Sequence, residues 1–445
     1  VSHQVDWLDL KVDLKIGETS VEWAQILTAL KNNSNLVQLS DGTKGYLTQE
    51  IINKIKPYFE VGALQGDGIR LNRIQTLFLK SYIEQDFVIP SDNKLEQILK
   101  DLSELKPVKL SAQFKGELRD YQKKGVSWLT TLSENSLGGI LADDMGLGKT
   151  IQMLAVLSQP FKKAASLEKK SSEKKLVAKE DEAELEGKAE KTKVLNLVVA
   201  PKSLVFNWKN EIEKFAPNLK VLTYFGPDRK EELKNIKKYD VMLTTYHTLR
   251  NDIDVLKDLN FYHFILDEAQ NIKNPKSQVT VSTKLVQATK RFALTGTPIE
   301  NSIGDLISIL SVVTPGLITE SLGQKFMRLS ENEDLRRVSK ALAPFILRRT
   351  KDQVLKDLPQ KTEQILYCEL SDEERVKYDE VRNFYWQKLN PRIKDGGVNH
   401  SKIEILGALL RLRQICCHVG LVEKNKDVAS SAKLDLLIEQ LQTII

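Results

Sequence analysis

Cysteine is scarce in this sequence: three occur in 445 residues, Cys368, Cys416 and Cys417, none in C-x-x-C spacing. With only five scattered histidines, neither a disulfide framework nor a Cys/His zinc site is supported. Long apolar runs are also lacking. None approaches the ~20 residues needed to cross a bilayer, and the opening VSHQVDWLDLKVDL has neither the basic flank nor the apolar centre of a signal peptide. The expectation is an intracellular, cytoplasmic chain with no membrane partner. Charge of one sign is not dominant either. The net charge of +6 permits a polyanionic partner without requiring one.

What is present is enough apolar material to build cores. Hydrophobic residues make up 41% and charged residues 28%, the balance of an ordinary globular protein. At 445 residues the chain exceeds one hydrophobic core, and two to four domains of about 100–200 residues each are expected. Residues 1–106 read as a small α+β unit, with alternation in VDWLDLKVDLKI, helical spacing in VEWAQILTALKNN and a turn at SDGTKG.

Residues 107–300 are expected to form the next unit, and from 138 to about 300 strand-like and helix-like pieces alternate. GGILA, LNLVVA, VLTYF, DVMLTT, YHFIL and RFALT are compact β-forming runs. Between them TIQMLAVLSQ, SLVFNWKNEIEKFA, DRKEELKNIKK and SQVTVSTKLVQAT carry helical periodicity. Such alternation predicts an α/β lobe with a parallel sheet covered by helices on both faces, and ligands at the carboxyl ends of its strands. Residues 162–193 interrupt it with ten lysines, eight acids and no aromatic, a composition that points to a solvated, flexible insertion. Residues 301–432 read as helical: GDLISILSVV, LRRVSKALAPFIL, DEERVKYDEVRNFYWQKL and IEILGALLRLRQICC. Residues 433–445 would begin a further lobe.

The chemistry is concentrated in LADDMGLGKT, residues 141–150. A phosphate-binding loop aims backbone N–H groups inward at a helix N-terminus, while a lysine neutralises phosphates and a Ser/Thr hydroxyl ligates Mg²⁺. Gly146, Gly148, Lys149 and Thr150 supply those parts between an apolar strand and an amphipathic helix. Asp143 stands where the strict G-x-x-x-x-G-K-[ST] pattern has glycine.

A second element is YHFILDEAQ, in which Asp267 and Glu268 follow an apolar strand. Asp267 suits Mg²⁺, and Glu268 suits the orientation and activation of an attacking water, since phosphoryl transfer depends chiefly on positioning and charge stabilisation. A third is LTGTPIEN, residues 294–301, whose small hydroxylated residues suit sensing a terminal phosphate.

LRDYQ, DDMGLGKT, VVAPKSLVFNW, TTYHTLR, LDEAQNIKN, LTGTPIEN, PFILRRTKDQVLKDLPQK and LLRLRQICCH, in this order, resemble the Swi/Snf family of ATP-dependent double-stranded DNA translocases. The match covers about residues 107–445. It implies a RecA-like lobe that binds ATP and Mg²⁺, and a phosphate cradle running from Asp144 through Met145, Gly146, Leu147, Gly148 and Lys149 to Thr150, with Asp143 a normal variant beside it. It also implies that Gln122 reads the adenine with support from Arg119. Lys202, Ser203, Thr245 and Tyr246 would line a groove for double-stranded DNA. Thr295, Gly296 and Thr297, with Gln270 where the family commonly has histidine, would couple the nucleotide to that groove. The arginine pairs at 336–337 and in RRTK, residues 348–351, would add to the grip on phosphates or lie on solvated faces.

The resemblance further implies a remodeller of DNA-bound proteins, with RNA polymerase one such target, in the bacterial nucleoid. The family's glycine-rich and arginine motifs of the second lobe do not appear in the sequence, so weak hydrolysis is expected of this chain. Two other readings are a strand-separating helicase and a nucleotide-gated scaffold for DNA or RNA polymerase. LTGTPIEN and RRTKDQVLKDLPQK speak against the first, Lys149 and Glu268 against the second.

Overall fold

The computed structural model describes residues 7–11, 14–16, 19–32, 34–65, 68–82, 93–159, 194–298, 302–327, 332–354, 364–422 and 431–444. The charged insertion expected at 162–193 lies outside the described residues. The chain divides into two compact units, Val1–Asp357 and Leu358–Ile445. The helices expected over 301–432 therefore fall on both sides of that division.

The first unit is built on a seven-stranded parallel sheet. In chain order its elements are α1 (Asp120–Glu134), β1 (Gly139–Leu141), α2 (Lys149–Leu157), β2 (Asn196–Ala200), α3 (Lys202–Phe215), β3 (Val221–Tyr224), β4 (Val241–Thr245), α4 (Tyr246–Asn251), β5 (Asn260–Asp267), α5 (Gln278–Leu285), β6 (Gln287–Leu294), α6 (Ile303–Val313) and β7 (Ile346–Leu347). The sheet order is β3-β4-β2-β5-β6-β1-β7. All five residues of β2 and all five of β4 are buried. Because successive side chains in a strand point to opposite faces, both faces of the sheet must be covered. The RecA-like α/β expectation holds here, and each of the six strand-like runs forms a strand.

Three local expectations change. SQVTVSTKLVQAT is helical only as far as Leu285, and Gln287 already opens β6, which pairs with β5 along its whole length from Asn260↔Gln287 to Asp267↔Leu294. Pairing overrides the helical spacing read from the isolated segment. DRKEELKNIKK forms one α-turn and a kinked 3₁₀ stretch with no fully buried residue; Leu233 and Ile236 pack only partly against the core, too little apolar contact to carry a longer helix. The end of LRRVSKALAPFIL is a strand: Ile346 and Leu347 pair with Ile140 and Leu141.

The N-terminal α+β elements are present, including the hairpin Leu36–Gln38/Lys44–Tyr46 around SDGTKG. Val21, Ile26, Ala29, Val37, Leu47 and Ile52 form a small core of their own. Leu71, Leu77, Phe78 and Leu79 belong instead to the main core. Phe78 packs on Phe326, and Lys325 bridges to Glu60 at 2.7 Å. In the second unit Asp372–His400, Lys402–Cys417 and Ala432–Ile444 are helices.

Candidate active site

Register places the chemistry in one row. Leu347, Leu141, Leu294 and Asp267 stand side by side at the carboxyl ends of β7, β1, β6 and β5, and Thr245 pairs with Ala200 at the ends of β4 and β2. The segments that follow these residues are RRTK, the loop 142–148, TGTP, EAQ, YHT and PKS. Six motifs far apart in sequence thus share one rim, as parallel sheets arrange their ligand sites.

The loop turns through two left-handed glycines, Gly146 at φ 84° and Gly148 at φ 74°. A Cβ on Gly148 would lie 2.6 Å from Gln122 Nε2, so glycine is required there by space as well as by conformation. A Cβ on Gly146 would meet only the end of the Lys351 side chain, at 3.8–4.0 Å. Gly148 caps α2, whose first turn carries Lys149 and Thr150, so unpaired N–H groups of a helix start and a hydroxyl converge on one point. Lys149 Nζ donates to the Asp143 carbonyl at 2.7 Å and to that of Asp144 at 3.3 Å. Burial pulls its pKa below the usual lysine value, and the carboxylates of Glu268, Asp143, Asp267 and Asp144 oppose that shift. The acids that close β5 therefore act on the lysine of the loop.

Asp267 is itself buried. Burial raises its pKa above the usual carboxylate value, while donation from Trp208 opposes the rise. Trp208 Nε1 donates to Asp267 Oδ2 at 2.7 Å, and the Glu268 amide donates to Asp267 Oδ1 at 3.0 Å. Glu268 occupies the left-handed region, φ 48° and ψ 58°, rare for a residue with a Cβ and often found at functional sites. Its Oε2 accepts from Gln270 Nε2 at 2.9 Å, and Gln270 Oε1 accepts from Thr295 Oγ1 at 2.9 Å. Thr295 Oγ1 in turn accepts the Thr297 amide at 3.1 Å. Gly296 completes the enclosure, since a Cβ there would lie 3.8 Å from Lys149 Nζ.

Gln122 is buried on α1. Its Nε2 donates to the Leu147 carbonyl at 3.2 Å and its Oε1 accepts the Arg119 amide at 2.9 Å, so it touches the loop. Arg119 and Met145 are exposed, and Leu147 is buried. Asp144 takes the Lys351 amide on Oδ2 at 3.0 Å. Lys202 and Ser203 are exposed at the start of α3.

Thr245 and Tyr246, which the resemblance sets along a DNA groove, stand at the end of β4 and the start of α4. Both are buried; Thr245 Oγ1 caps α4 at Thr248, and the Tyr246 hydroxyl donates to the Asp267 carbonyl at 2.7 Å. Burial, with the nearby charges of Asp267 and Glu268, raises the Tyr246 pKa. These side chains brace the carboxylate strand. Asp143, beside the cradle, has a fully buried carboxylate that receives Arg349 and Gln152. Arg349 is accordingly neither a phosphate grip nor part of a solvated face.

The roles of Trp208 and Gln152 have no counterpart in the sequence reading, and the pairing of Arg349 with Asp143 has none either. Trp208 lies in the helical run SLVFNWKNEIEKFA, and nothing local marks its indole N–H as a carboxylate partner.

The set fits a nucleoside triphosphate with a divalent ion. Helix-start amides and Lys149 suit phosphates, and Thr150 with Asp267 suits Mg²⁺, which keeps few protein ligands beside phosphate oxygens. Among the described residues no cluster of three or more His, Cys, Asp or Glu could hold a metal without such help. No helix among them is long and apolar enough to cross a membrane.

A family model described as the SNF2-related domain matches residues 121–421. A Mycoplasma genitalium protein described as an uncharacterized ATP-dependent helicase is 32% identical over 436 residues, covering 94% of this chain and 36% of that protein. The TATA-binding protein-associated factor MOT1 of Saccharomyces cerevisiae is 33% identical over 359 residues, 76% of this chain and 18% of that protein. The chain thus spans well under half the length of either. The Sulfolobus solfataricus SWI2/SNF2 ATPase core, solved in complex with double-stranded DNA, is 34% identical and covers 76% of this chain and 66% of that one, at a TM-score of 0.48.

Proposed function

We propose that this chain, which belongs to the SNF2-related family, binds ATP with Mg²⁺ and hydrolyses it weakly, and that hydrolysis at this site serves movement along double-stranded DNA and the remodelling of protein–DNA complexes. The observation that carries the reading is the bridge Glu268–Gln270–Thr295 beside Lys149. It links the carboxylate suited to activating water with the threonine of the TGTP element through one side-chain amide. Loss of a terminal phosphate near Lys149 would therefore be felt on the strand-end loop that follows β6.

In this reading Lys149 and the helix-start amides neutralise the phosphates. Thr150 and Asp267 would hold Mg²⁺, whose chemistry there would be charge stabilisation of the transferring phosphoryl group. Glu268, kept in place by Gln270, orients a water and takes its proton. Trp208 keeps Asp267 aimed at the ion while burial excludes competing solvent.

The duplex-DNA part rests on family membership and on Lys202 and Ser203, exposed on the same rim. A lysine and hydroxyls can follow a phosphate backbone without reading sequence. A relative named as a TATA-binding protein-associated factor is in keeping with a target already bound to DNA. Displacement of a triplex-forming strand from duplex DNA, compared between the unmodified protein and Lys149→Ala, tests the reading. Displacement that depends on ATP and is lost in the variant is expected; displacement undiminished by the substitution would refute it.

A further inference from the structure

The stretch after β7 runs beside the phosphate loop as closely as a neighbouring strand. The Ala142 amide donates to the Leu347 carbonyl at 2.7 Å, the Asp144 amide to the Arg349 carbonyl at 3.0 Å, and the Lys351 amide to Asp144 Oδ2 at 3.0 Å. Between these backbone ties lies a buried ion pair. Arg349 Nε donates to Asp143 Oδ1 at 2.9 Å and its Nη2 to Asp143 Oδ2, with side chains 12% and 0% exposed. Arg349 also donates to the Tyr121 carbonyl and to Gln152 Oε1, the latter at 2.8 Å. Its guanidinium stands 5.3 Å from the Tyr121 ring centroid.

Asp143 replaces the glycine of the strict loop pattern, which brings a carboxylate to the base of a site that must receive anions. It is one of the groups acting on the charge of Lys149. Paired in a bidentate fork with Arg349, that carboxylate is cancelled within the protein and its residue is fixed, including the carbonyl that takes the Lys149 ammonium. Without the guanidinium, the stranded charge would act on Lys149, whose ammonium already bonds the Asp143 carbonyl and feels that carboxylate.

We propose that Arg349 is a positioning residue of the phosphate loop: by neutralising and fixing Asp143 it leaves Lys149 free to bind the triphosphate. The inference rests on the ATP reading of this site. It makes the segment Ile346–Lys351 a wall of the nucleotide site. By linkage, a ligand that depends on this wall must also stabilise it.

The test measures the affinity of the 445-residue chain for a fluorescent ATP analogue with Mg²⁺, alongside its Tm, for the unmodified protein, Arg349→Gln, Asp143→Asn/Arg349→Gln, Arg349→Lys and Lys149→Ala. Arg349→Gln should weaken binding by at least about tenfold, within the usual range of coupling between sites. The double variant should recover most of that loss, because removing the carboxylate charge releases Lys149. Should Arg349→Gln fail to fold, the double variant carries the test: near-normal affinity supports the proposal, and affinity as poor as in Lys149→Ala overturns it. Arg349→Lys, which keeps the charge but not the fork, should fall between. Binding by Arg349→Gln within threefold of the unmodified protein, or a folded double variant that binds no better than the single one, would overturn the proposal. If the unmodified chain itself binds no nucleotide, the ATP reading falls and takes this inference with it; if Lys149→Ala alone abolishes binding, only the role of Arg349 is lost.

Discussion

Trp208 holds Asp267: the indole N–H donates to the carboxylate Oδ2 at 2.7 Å from a side chain with no exposed surface. The bond aims one oxygen of a buried acid, and its removal has a computable direction. Trp208→Phe keeps most of the ring volume and deletes the donor. It should destabilise the fold by about 1–3 kcal/mol, the range for stranding a buried polar group, and should weaken Mg²⁺-dependent nucleotide binding. Urea unfolding and nucleotide titration with and without Mg²⁺ check both; unchanged stability would show that the bond contributes nothing.

Asp267 also gives a trade of stability against function. Its pKa is raised, chiefly by burial, so the folded state disfavours the charged form. The stability this lends is full below the ordinary carboxylate range and is lost as pH rises through the folded pKa. Asp267→Asn removes the charge and should raise Tm at neutral pH in the absence of divalent ions, while abolishing Mg²⁺-supported hydrolysis. A Tm below that of the unmodified protein at pH 7 would contradict this.

His263 sets the acid limit. Burial, with Lys290 nearby, depresses its pKa from 6.5 to about 3, and its ring bonds Asn196 Oδ1 at 2.9 Å and Ser133 Oγ at 3.3 Å. The folded state holds it neutral while the unfolded chain protonates, so its contribution is complete above pH 6.5 and is lost as pH falls toward 3. At 1.36 kcal/mol per unit the full loss is about 5 kcal/mol. His263→Gln should flatten the fall in stability between pH 6.5 and 4, measured by denaturant unfolding at each pH; an equally steep fall would assign acid sensitivity to other groups.

Gln270 separates binding from turnover. Gln270→Ala cuts the link between Glu268 and Thr295 and should lower DNA-stimulated ATP turnover by about tenfold, as expected when a general base loses its orienting partner, with nucleotide affinity little changed. Gln270→His, the residue common in the family, should retain most of the turnover. Equal kcat for Gln270→Ala and the unmodified protein would remove the bridge from the account.

Much of this was legible in sequence, because the lobe's strands are short apolar runs and its loop residues are set by chemistry. Gly148 suits a left-handed turn, Lys149 opens the helix after the loop, and Asp267 and Glu268 fall at the end of an apolar strand. What was not legible depends on pairing across long separations. β6 began inside a helical pattern because eight residues of partner strand decided it. PFIL became a sheet edge through β1, two hundred residues earlier in the chain. Arg349 looked like a surface charge until its partner, the anomalous Asp143, lay beside it. Nothing in the sequence near Tyr246 marks its hydroxyl as the partner of the Asp267 carbonyl, twenty-one residues on.

The central claim is that the loop after β1 and the acids after β5 form one metal-nucleotide site. The direct measurement is a crystal structure with Mn²⁺ and a slowly hydrolysed ATP analogue, using anomalous scattering to locate the ion. The account predicts one strong peak between the Thr150 hydroxyl and the Asp267 carboxylate, with the terminal phosphate on Lys149. An ion and phosphates bound elsewhere, with Asp267 and Glu268 touching neither, would contradict it.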